Sequence, residues 1–444
     1  MKSFFVPHHV MSICNIRIIR IFVYIILPIS FLSSRFAYAQ TTNDLQSKIN
    51  QRNTDIQALE KEIAGYQRQI DDLSGQADTL AAAVKSLDLT QKKLQADISV
   101  TENKIAAKTY EIEQLSSQIS DKEGAISDDR RIIANSLALI NQKSDSSVVE
   151  IILGSDSVAS AWNSLDQLGT VQSSLVNRIN DLLAAKTDLE TNKVASEKAK
   201  ADLVDLNSQL KDQRQVVLGT QSEKNQLLKE TKQSETQYKN IVAEKQAMRD
   251  AYEREVLQYE SQLKYTVDTS KLPSTGTAIL SWPLDNIFIT QYFGNTPFAT
   301  ANSQIYGGMG HNGVDFRASI GTPVMASLSG VVIGVENTDI VPGCYSFGKW
   351  IMIDHKNGLS TLYAHLSVQS VKKGDVVTTG QIIGYSGNTG YTTGPHLHFG
   401  VYATQGVRIT TFDTSIHCHG AIIPLASFNA YLNPLSYLPP VPAQ

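Results

Sequence analysis

The sequence predicts a multidomain α + β protein, in which a long α-helical coiled coil is followed by an all-β domain of antiparallel sheet. Three observations support this fold class. A heptad repeat runs from residue 45 to residue 126. No proline lies between Pro28 and Pro273. Beyond residue 277, short β-prone runs alternate with glycine turns, which is typical of an all-β domain.

The first forty residues have the composition of an export signal. Arg17 and Arg20 precede an apolar run from Ile21 to Leu32, and Ala37-Tyr38-Ala39 fits the small-x-small pattern of a cleavage site. The run of 12 residues is shorter than the about 20 that a membrane-spanning helix needs. We therefore expect residues 1–39 to be a signal peptide, and the protein to lie in the periplasm or on the extracellular cell-wall face. An uncleaved anchor is the alternative.

The heptad repeat predicts a coiled coil over residues 40–265. One seam is mostly leucine and the other is mostly isoleucine, with Ile49, Ile56, Ile63, Ile70, Ile98, Ile105, Ile112, Ile119 and Ile126. Residues 171–265 carry a weaker repeat that can cover this stripe. The sequence favours an antiparallel hairpin of the two arms, with a parallel dimer as the alternative.

Between the two arms lies an irregular, apolar segment near residues 148–168, which includes Trp162. It can form a small core that closes the hairpin, or a docking segment for a partner. The net charge of the chain is only −4 at pH 7, and no basic stripe with interleaved aromatics is present. Nucleic acid is therefore not expected as a partner.

The helical pattern ends near Tyr265, so residues 266–276 are predicted to be a linker and residues 277–444 the β domain. If Cys14 leaves with the signal, Cys344 and Cys418 remain in this domain. A disulfide between them is expected in an oxidising compartment. The alternatives are free thiols or a second metal site, because Cys418 lies between two histidines.

The candidate chemistry is confined to the β domain, since the chain has nine histidines and none between residues 10 and 310. His396 and His398 are two apart on a predicted strand, so both side chains leave the same face. His311 and Asp315 lie near Gly310 and Gly313, and we place them on a loop or strand end. Imidazoles and carboxylates are the usual ligands of a catalytic zinc.

These motifs, together with His365 in Leu-Tyr-Ala-His-Leu, Gly321-Thr-Pro-Val324 and Ser386-Gly-Asn-Thr-Gly390, resemble the lysostaphin/LytM-type zinc endopeptidases of peptidase family M23. The resemblance implies His311, Asp315 and His398 as ligands of one Zn²⁺ per chain. It implies His365 and His396 as catalytic residues, without deciding which is the general base. The implied substrate is bacterial peptidoglycan, cut in its stem peptides or cross-links.

The arrangement of a coiled coil before such a domain is similar to the cell-division regulators of the EnvC and PcsB type. That similarity implies regulation through the coiled coil by a membrane division protein or an ABC-transporter-like complex. EnvC-like domains have lost the metal ligands and activate a cell-wall amidase, which is the alternative function here. A structural coiled-coil protein with a degenerate cap is a third. An enzyme is favoured, because all five metal-site positions are present.

Overall fold

The computed structural model describes residues 19–74, 79–144, 157–263, 265–296, 300 and 310–442. It contains four α-helices in these ranges: α1 Ile19–Ser74, α2 Leu80–Ser144, α3 Val158–Thr231 and α4 Glu235–Glu260. An antiparallel β domain follows, which confirms the predicted fold class. Among the described residues, none of the helices combines the length and apolar composition needed to cross a membrane.

Two sequence predictions concern residues that are described only in part. Of the predicted signal peptide, residues 1–18 lie outside the described ranges, and the rest begins α1. Of the apolar segment near 148–168, residues 148–156 lie outside them, and α3 begins at Val158. Trp162 is 72% exposed on α3.

The chain divides into two compact units. The first consists of Met1–Asp55 and Asn103–Leu206. In it, Lys108 binds Asp202 at 3.3 Å and Lys122 binds Asp188 at 2.9 Å. Residue numbers rise along α2 as they fall along α3, so the two helices are antiparallel. This is the predicted hairpin pairing.

The second unit consists of Ile56–Glu102 and Asn207–Gln444, and it holds the β domain. Here the side-chain amide of Gln91 donates to Gln221 across the helix pair at 2.7 Å. Leu94 of α2 and Val216 of α3 are buried in one cluster with Ile320 and Tyr385 of the β domain. The helical segments of this unit are therefore packed directly on the β domain.

The β domain is built on a ten-stranded sheet with β6 and β9 near its centre. All the strand pairs within the described residues are antiparallel, and β10 pairs with β11 in a separate hairpin. The strands are β1 Ile289–Gln291, β2 Val314–Arg317, β3 Pro323–Met325, β4 Gly330–Asn337, β5 Lys349–Asp354, β6 Leu359–Gln369, β7 Val376–Val377, β8 Ile382–Ser386, β9 His396–Ala403, β10 Val407–Thr411, β11 Ile422–Ala426 and β12 Tyr431–Leu432.

Alternation along β9 separates the core from the groove. Leu397, Phe399 and Val401 are fully buried in the main core, while His396 and His398 point to the other face. The face of β9 that carries His396 and His398 is turned towards the candidate site. This agrees with the sequence prediction that two histidines spaced by two leave the same face of a strand.

Helix α4 belongs to the second unit and packs on the β10–β11 hairpin. Ser234 caps its first turn by accepting a hydrogen bond from the backbone of Gln237 at 3.4 Å. Its apolar stripe, at helical spacing, packs on Phe412 and on the strand residues that follow it. The members of this stripe are Tyr252, Val256 and Tyr259.

Candidate metal site and groove

Strand pairing brings the three predicted metal ligands together. Asp315 on β2 lies directly opposite His398 on β9 in the antiparallel register. His311 lies just before β2, and its backbone forms an isolated antiparallel β-bridge with Gly294, which follows β1. This bridge fixes the position of the His311 backbone. The ring of His311 is oriented further, because its Nδ1 lies 3.1 Å from the carbonyl oxygen of Tyr292.

The geometry of these side chains fits one metal ion. His311 Nε2 lies 3.3 Å from His398 Nδ1, and Asp315 Oδ1 lies 3.4 Å and 2.9 Å from those atoms respectively. The three converging donors, two nitrogens and one carboxylate oxygen, could hold a metal ion and are of the types that catalytic zinc sites use. Gly313 is required here, because a Cβ at that position would lie 2.8 Å from His398 Nε2.

The electrostatics of the ligands also favour a cation. Burial would raise the pKa of Asp315, but His311 and His396 hold it well below its ordinary value. Burial lowers the pKa of His398, so this imidazole stays neutral. Burial would lower the pKa of His311, but Asp315 raises it above its ordinary value, so a cation has to displace the His311 proton. An ionised carboxylate beside neutral imidazoles is the protonation state that metal ligands need.

The two predicted catalytic histidines lie beside this ligand set. The ring centroids of His365 and His396 are 4.7 Å apart, and that of His365 lies 6.1 Å from His398. Ala364 is the residue opposite His398, so simple alternation would send His365 to the other face. His365 has a φ of 61°, and this left-handed conformation is accompanied by its ring lying in the groove.

Each of these rings is held through Nδ1. That of His365 donates to the carbonyl oxygen of Thr389 at 2.9 Å, and that of His396 to the carbonyl oxygen of Gly394 at 2.9 Å. Burial, with the neighbouring His396, lowers the pKa of His365 well below its ordinary value. The neutral ring therefore presents an unprotonated Nε2.

Helix α4 forms one wall of the groove that contains the five residues. Arg249, Glu253 and Leu257 of this helix line the groove together with His311, Asp315 and His398. Arg249 is bound to Glu253 at 2.8 Å, and its guanidinium lies over the ring of Tyr391. None of these α4 residues was predicted from the sequence as part of the site.

Two acidic residues of α4 anchor it to the β domain. Glu255 accepts hydrogen bonds from the Ser415 hydroxyl and from Nδ1 of His417. Glu260 is buried, and accepts from the backbone N–H of Ala426 at 2.9 Å and the hydroxyl of Tyr431 at 2.6 Å.

Cys344 and Cys418 are joined by a disulfide. It links the loop between β4 and β5 to the loop between β10 and β11, and both half-cystines are buried beside Tyr252 of α4. His417 and His419, the neighbours of Cys418, bond to Glu255 and to the carbonyl oxygen of Asp413. The alternative of a second metal site at Cys418 is not what the structure shows.

The sheet and the His-Asp-His cluster define a β-domain metallopeptidase site. Residues 309–410 match the family model described as peptidase family M23. The chain therefore carries an M23 peptidase domain, preceded by long helices.

Two curated proteins illustrate the sequence similarity. The peptidoglycan DD-endopeptidase ShyA of Vibrio cholerae is 49% identical over 89 residues, which are 20% of this chain and 19% of that protein. Lysostaphin of Staphylococcus simulans is 48% identical over 96 residues, which are 21% of this chain and 18% of that protein. The chain thus spans about a fifth of the length of these relatives.

Among solved structures, the catalytic domain of lysostaphin from Staphylococcus simulans matches with 31% identity and a TM-score of 0.26. The match covers 35% of this chain and 93% of that one.

Proposed function

We propose that this protein is an exported, zinc-dependent endopeptidase that hydrolyses peptide bonds of bacterial peptidoglycan, in stem peptides or cross-links. Its role would be in cell-wall remodelling or daughter-cell separation. The observation that carries the proposal is the convergence of His311, Asp315 and His398 in a groove beside two further imidazoles. The name of ShyA, a peptidoglycan DD-endopeptidase, supports the substrate class.

The bound metal and the two imidazoles would each supply a different part of the chemistry. Bound zinc would polarise the scissile carbonyl as a Lewis acid. His365 is neutral and donates through Nδ1, so its Nε2 can accept a proton from the attacking nucleophile. His396 also has its Nδ1 bonded to a backbone carbonyl oxygen, and its ring lies beside that of His365. It could therefore share the proton transfer or stabilise the negative charge that develops on the carbonyl oxygen.

We further propose that α4 holds the enzyme in a latent state. Its side chains line the groove that contains the five site residues, and Glu253 lies near enough to His311 to raise the pKa of that imidazole. An envelope partner, such as a membrane division protein or an ABC-transporter-like complex, would act on the helices and lift α4. The anchoring of α4 by Glu255 and His417, neither of which lines the groove, supports this scheme, because this anchor can be released without disturbing the ligands.

The test uses the full chain in two forms, wild type and the double variant Glu255→Ala/His417→Ala. Each is loaded with zinc and incubated with purified peptidoglycan and with soluble cross-linked muropeptides, and products are identified by mass spectrometry. We expect chelator-sensitive cleavage, faster in the double variant, and none when His311→Ala is added. Intact substrate after incubation with the folded, zinc-loaded double variant would reject the endopeptidase and favour a non-catalytic, amidase-activating role.

A further inference from the structure

The orientation of His365 depends on a loop that precedes β9. The carbonyl oxygen that accepts its Nδ1–H belongs to Thr389, in the segment Gly387–Gly394. Three glycines lie in this segment, and Thr389 itself is held through its hydroxyl, which donates to the carbonyl oxygen of Leu366 at 2.8 Å and accepts from the backbone N–H of Lys349 at 3.0 Å. Whatever holds Thr389 in place therefore also sets the direction of the His365 ring.

Two carboxylates from outside the segment bracket Thr389. On one side, Oε1 of Glu223 accepts a hydrogen bond from the side-chain amide of Asn388 at 3.0 Å. On the other, both carboxylate oxygens of Asp339 accept from the backbone N–H of Gly390, at 3.0 and 3.1 Å. The two anchors act on the residues immediately before and after the one whose carbonyl holds His365.

Glu223 differs from Asp339 because it comes from a helix. It lies on α3, seven residues after Val216, which is 1% exposed and packed with Leu94 against Ile320. The packing is tight, since a Cβ on Gly321 would lie 2.3 Å from a methyl carbon of Leu94. The packing of α3 on the β domain therefore places the Glu223 carboxylate beside the loop.

The Asn388 side chain is also held at its other end. Its carbonyl oxygen accepts a hydrogen bond from the hydroxyl of Thr392, within the same loop. With the amide on Glu223 and the carbonyl on Thr392, the side chain has a single orientation. Glu223 is thus linked to Asn388 by a hydrogen bond, and Asn388 is joined through the backbone to Thr389, whose carbonyl oxygen holds His365.

We propose that Glu223 is a positioning residue for His365, acting through Asn388 and Thr389. The helices then have two opposed effects on the site: α4 covers the groove, and α3 organises one of its imidazoles. This rests on the proposed function for its catalytic consequence, but the orientation of His365 is a property of the folded chain that can be measured without substrate.

The experiment compares Glu223→Ala, which removes the acceptor, with Glu223→Gln, which keeps an acceptor oxygen at the same position. Both are made in the full chain carrying Glu255→Ala/His417→Ala, so that the groove is accessible. Glu197→Ala is the matched control, because Glu197 is exposed on the same helix and binds only Lys200 in its own helix. If Glu223→Ala does not fold, Asn388→Ala removes the same hydrogen bond from the loop side.

The first readout is the tautomer of His365, from long-range ¹H–¹⁵N spectra of histidine-labelled protein, assigned with His365→Gln. We expect a single Nδ1–H tautomer in the parent, Glu223→Gln and Glu197→Ala, and a mixture in Glu223→Ala. The second readout is hydrolysis of soluble muropeptides. We expect kcat to fall about 10-fold in Glu223→Ala with KM unchanged, since misplacement of a proton-transfer group affects the transition state selectively.

An unchanged tautomer in Glu223→Ala would overturn the proposal, as would an equal loss in Glu223→Gln, because the acceptor oxygen would then not matter. If no form hydrolyses muropeptides, the proposed function fails, and the spectra still decide whether Glu223 orients His365.

Discussion

The carboxylate of Glu255 on α4 is bound to Nδ1 of His417 at 2.6 Å. The same carboxylate accepts from the Ser415 hydroxyl and, at 3.1 Å, from the backbone N–H of Ile416. Burial would raise the pKa of Glu255, but these hydrogen bonds lower it below its ordinary value. One side chain of the helix that forms a wall of the groove is therefore bound by one loop of the β domain.

Replacing Glu255 with alanine is expected to loosen α4. A hydrogen bond to a charged group contributes about 1.5–3 kcal/mol, so the undocked fraction should rise roughly 10- to 100-fold. Faster amide exchange in α4 and faster peptide hydrolysis would show this. Arg254→Ala is the matched control, because Arg254 is exposed on the same turn. Equal exchange in Glu255→Ala and wild type would show that the helix is held by its apolar stripe alone.

Docking of α4 is also expected to depend on pH through Glu260. Burial raises the pKa of this carboxyl from 4.5 to about 7, against the opposing hydrogen bonds from Tyr431 and Ala426. The docked form therefore binds more protons than the undocked form between these values. Docking is strongest below pH 4.5 and weakens as the pH rises to about 7, by about 3 kcal/mol in total.

The measurement for Glu260 is amide exchange of α4 peptides between pH 5 and pH 8, corrected for the intrinsic exchange rate. Glu260→Gln keeps an acceptor for Ala426 and Tyr431 but cannot ionise, so its protection should change less with pH over this range than that of wild type, the remainder coming from Glu253, whose pKa burial also raises. Parallel pH profiles for the two proteins would contradict the assignment to Glu260.

Removal of a metal ligand is expected to abolish both zinc binding and hydrolysis. In Asp315→Ala and His398→Ala, bound zinc should fall from about one per chain to near zero, as measured by mass spectrometry of the metal. Activity should fall by more than about 100-fold, because even groups that merely support metal ligands contribute 10- to 100-fold. His419→Ala is the control, since this imidazole lies outside the groove and should leave the zinc content unchanged.

The sequence predicts the fold class from local patterns, whereas the ligand set was implied only by the family resemblance. The isoleucine and leucine seams indicate the helices, and the spacing of His396 and His398 places both on one face of β9. The pairing of Asp315 with His398 depends on strand register between residues 83 apart, and only the family resemblance suggested it.

The position of α4 and its anchors could not be predicted in the same way. Glu255 and His417 are 162 residues apart, and the heptad pattern around α4 is equally compatible with a solvent-exposed arm. The orientation of His365 depends on a left-handed backbone conformation at a non-glycine residue, which no periodicity signals. Glu223 looks like an ordinary surface charge until α3 is placed on the β domain.

The disulfide gives a prediction about both stability and docking. Cys344 and Cys418 are separated by 74 residues and are 2% and 0% exposed. They share a buried cluster with Tyr252 of α4, so the cross-link also stiffens the surface on which α4 lies. Replacing both with serine should lower the free energy of unfolding by about 4 kcal/mol, the value expected for a closed loop of this length.

Because α4 covers the disulfide, its reduction in the native protein should require α4 to lift. A mild phosphine reductant should therefore open the disulfide slowly in wild type and faster in Glu255→Ala, with Arg254→Ala unchanged. Mass spectrometry after alkylation measures the rate. Identical rates in Glu255→Ala and wild type, at equal global stability, would mean that the sulfurs are reached by a route that does not involve the helix.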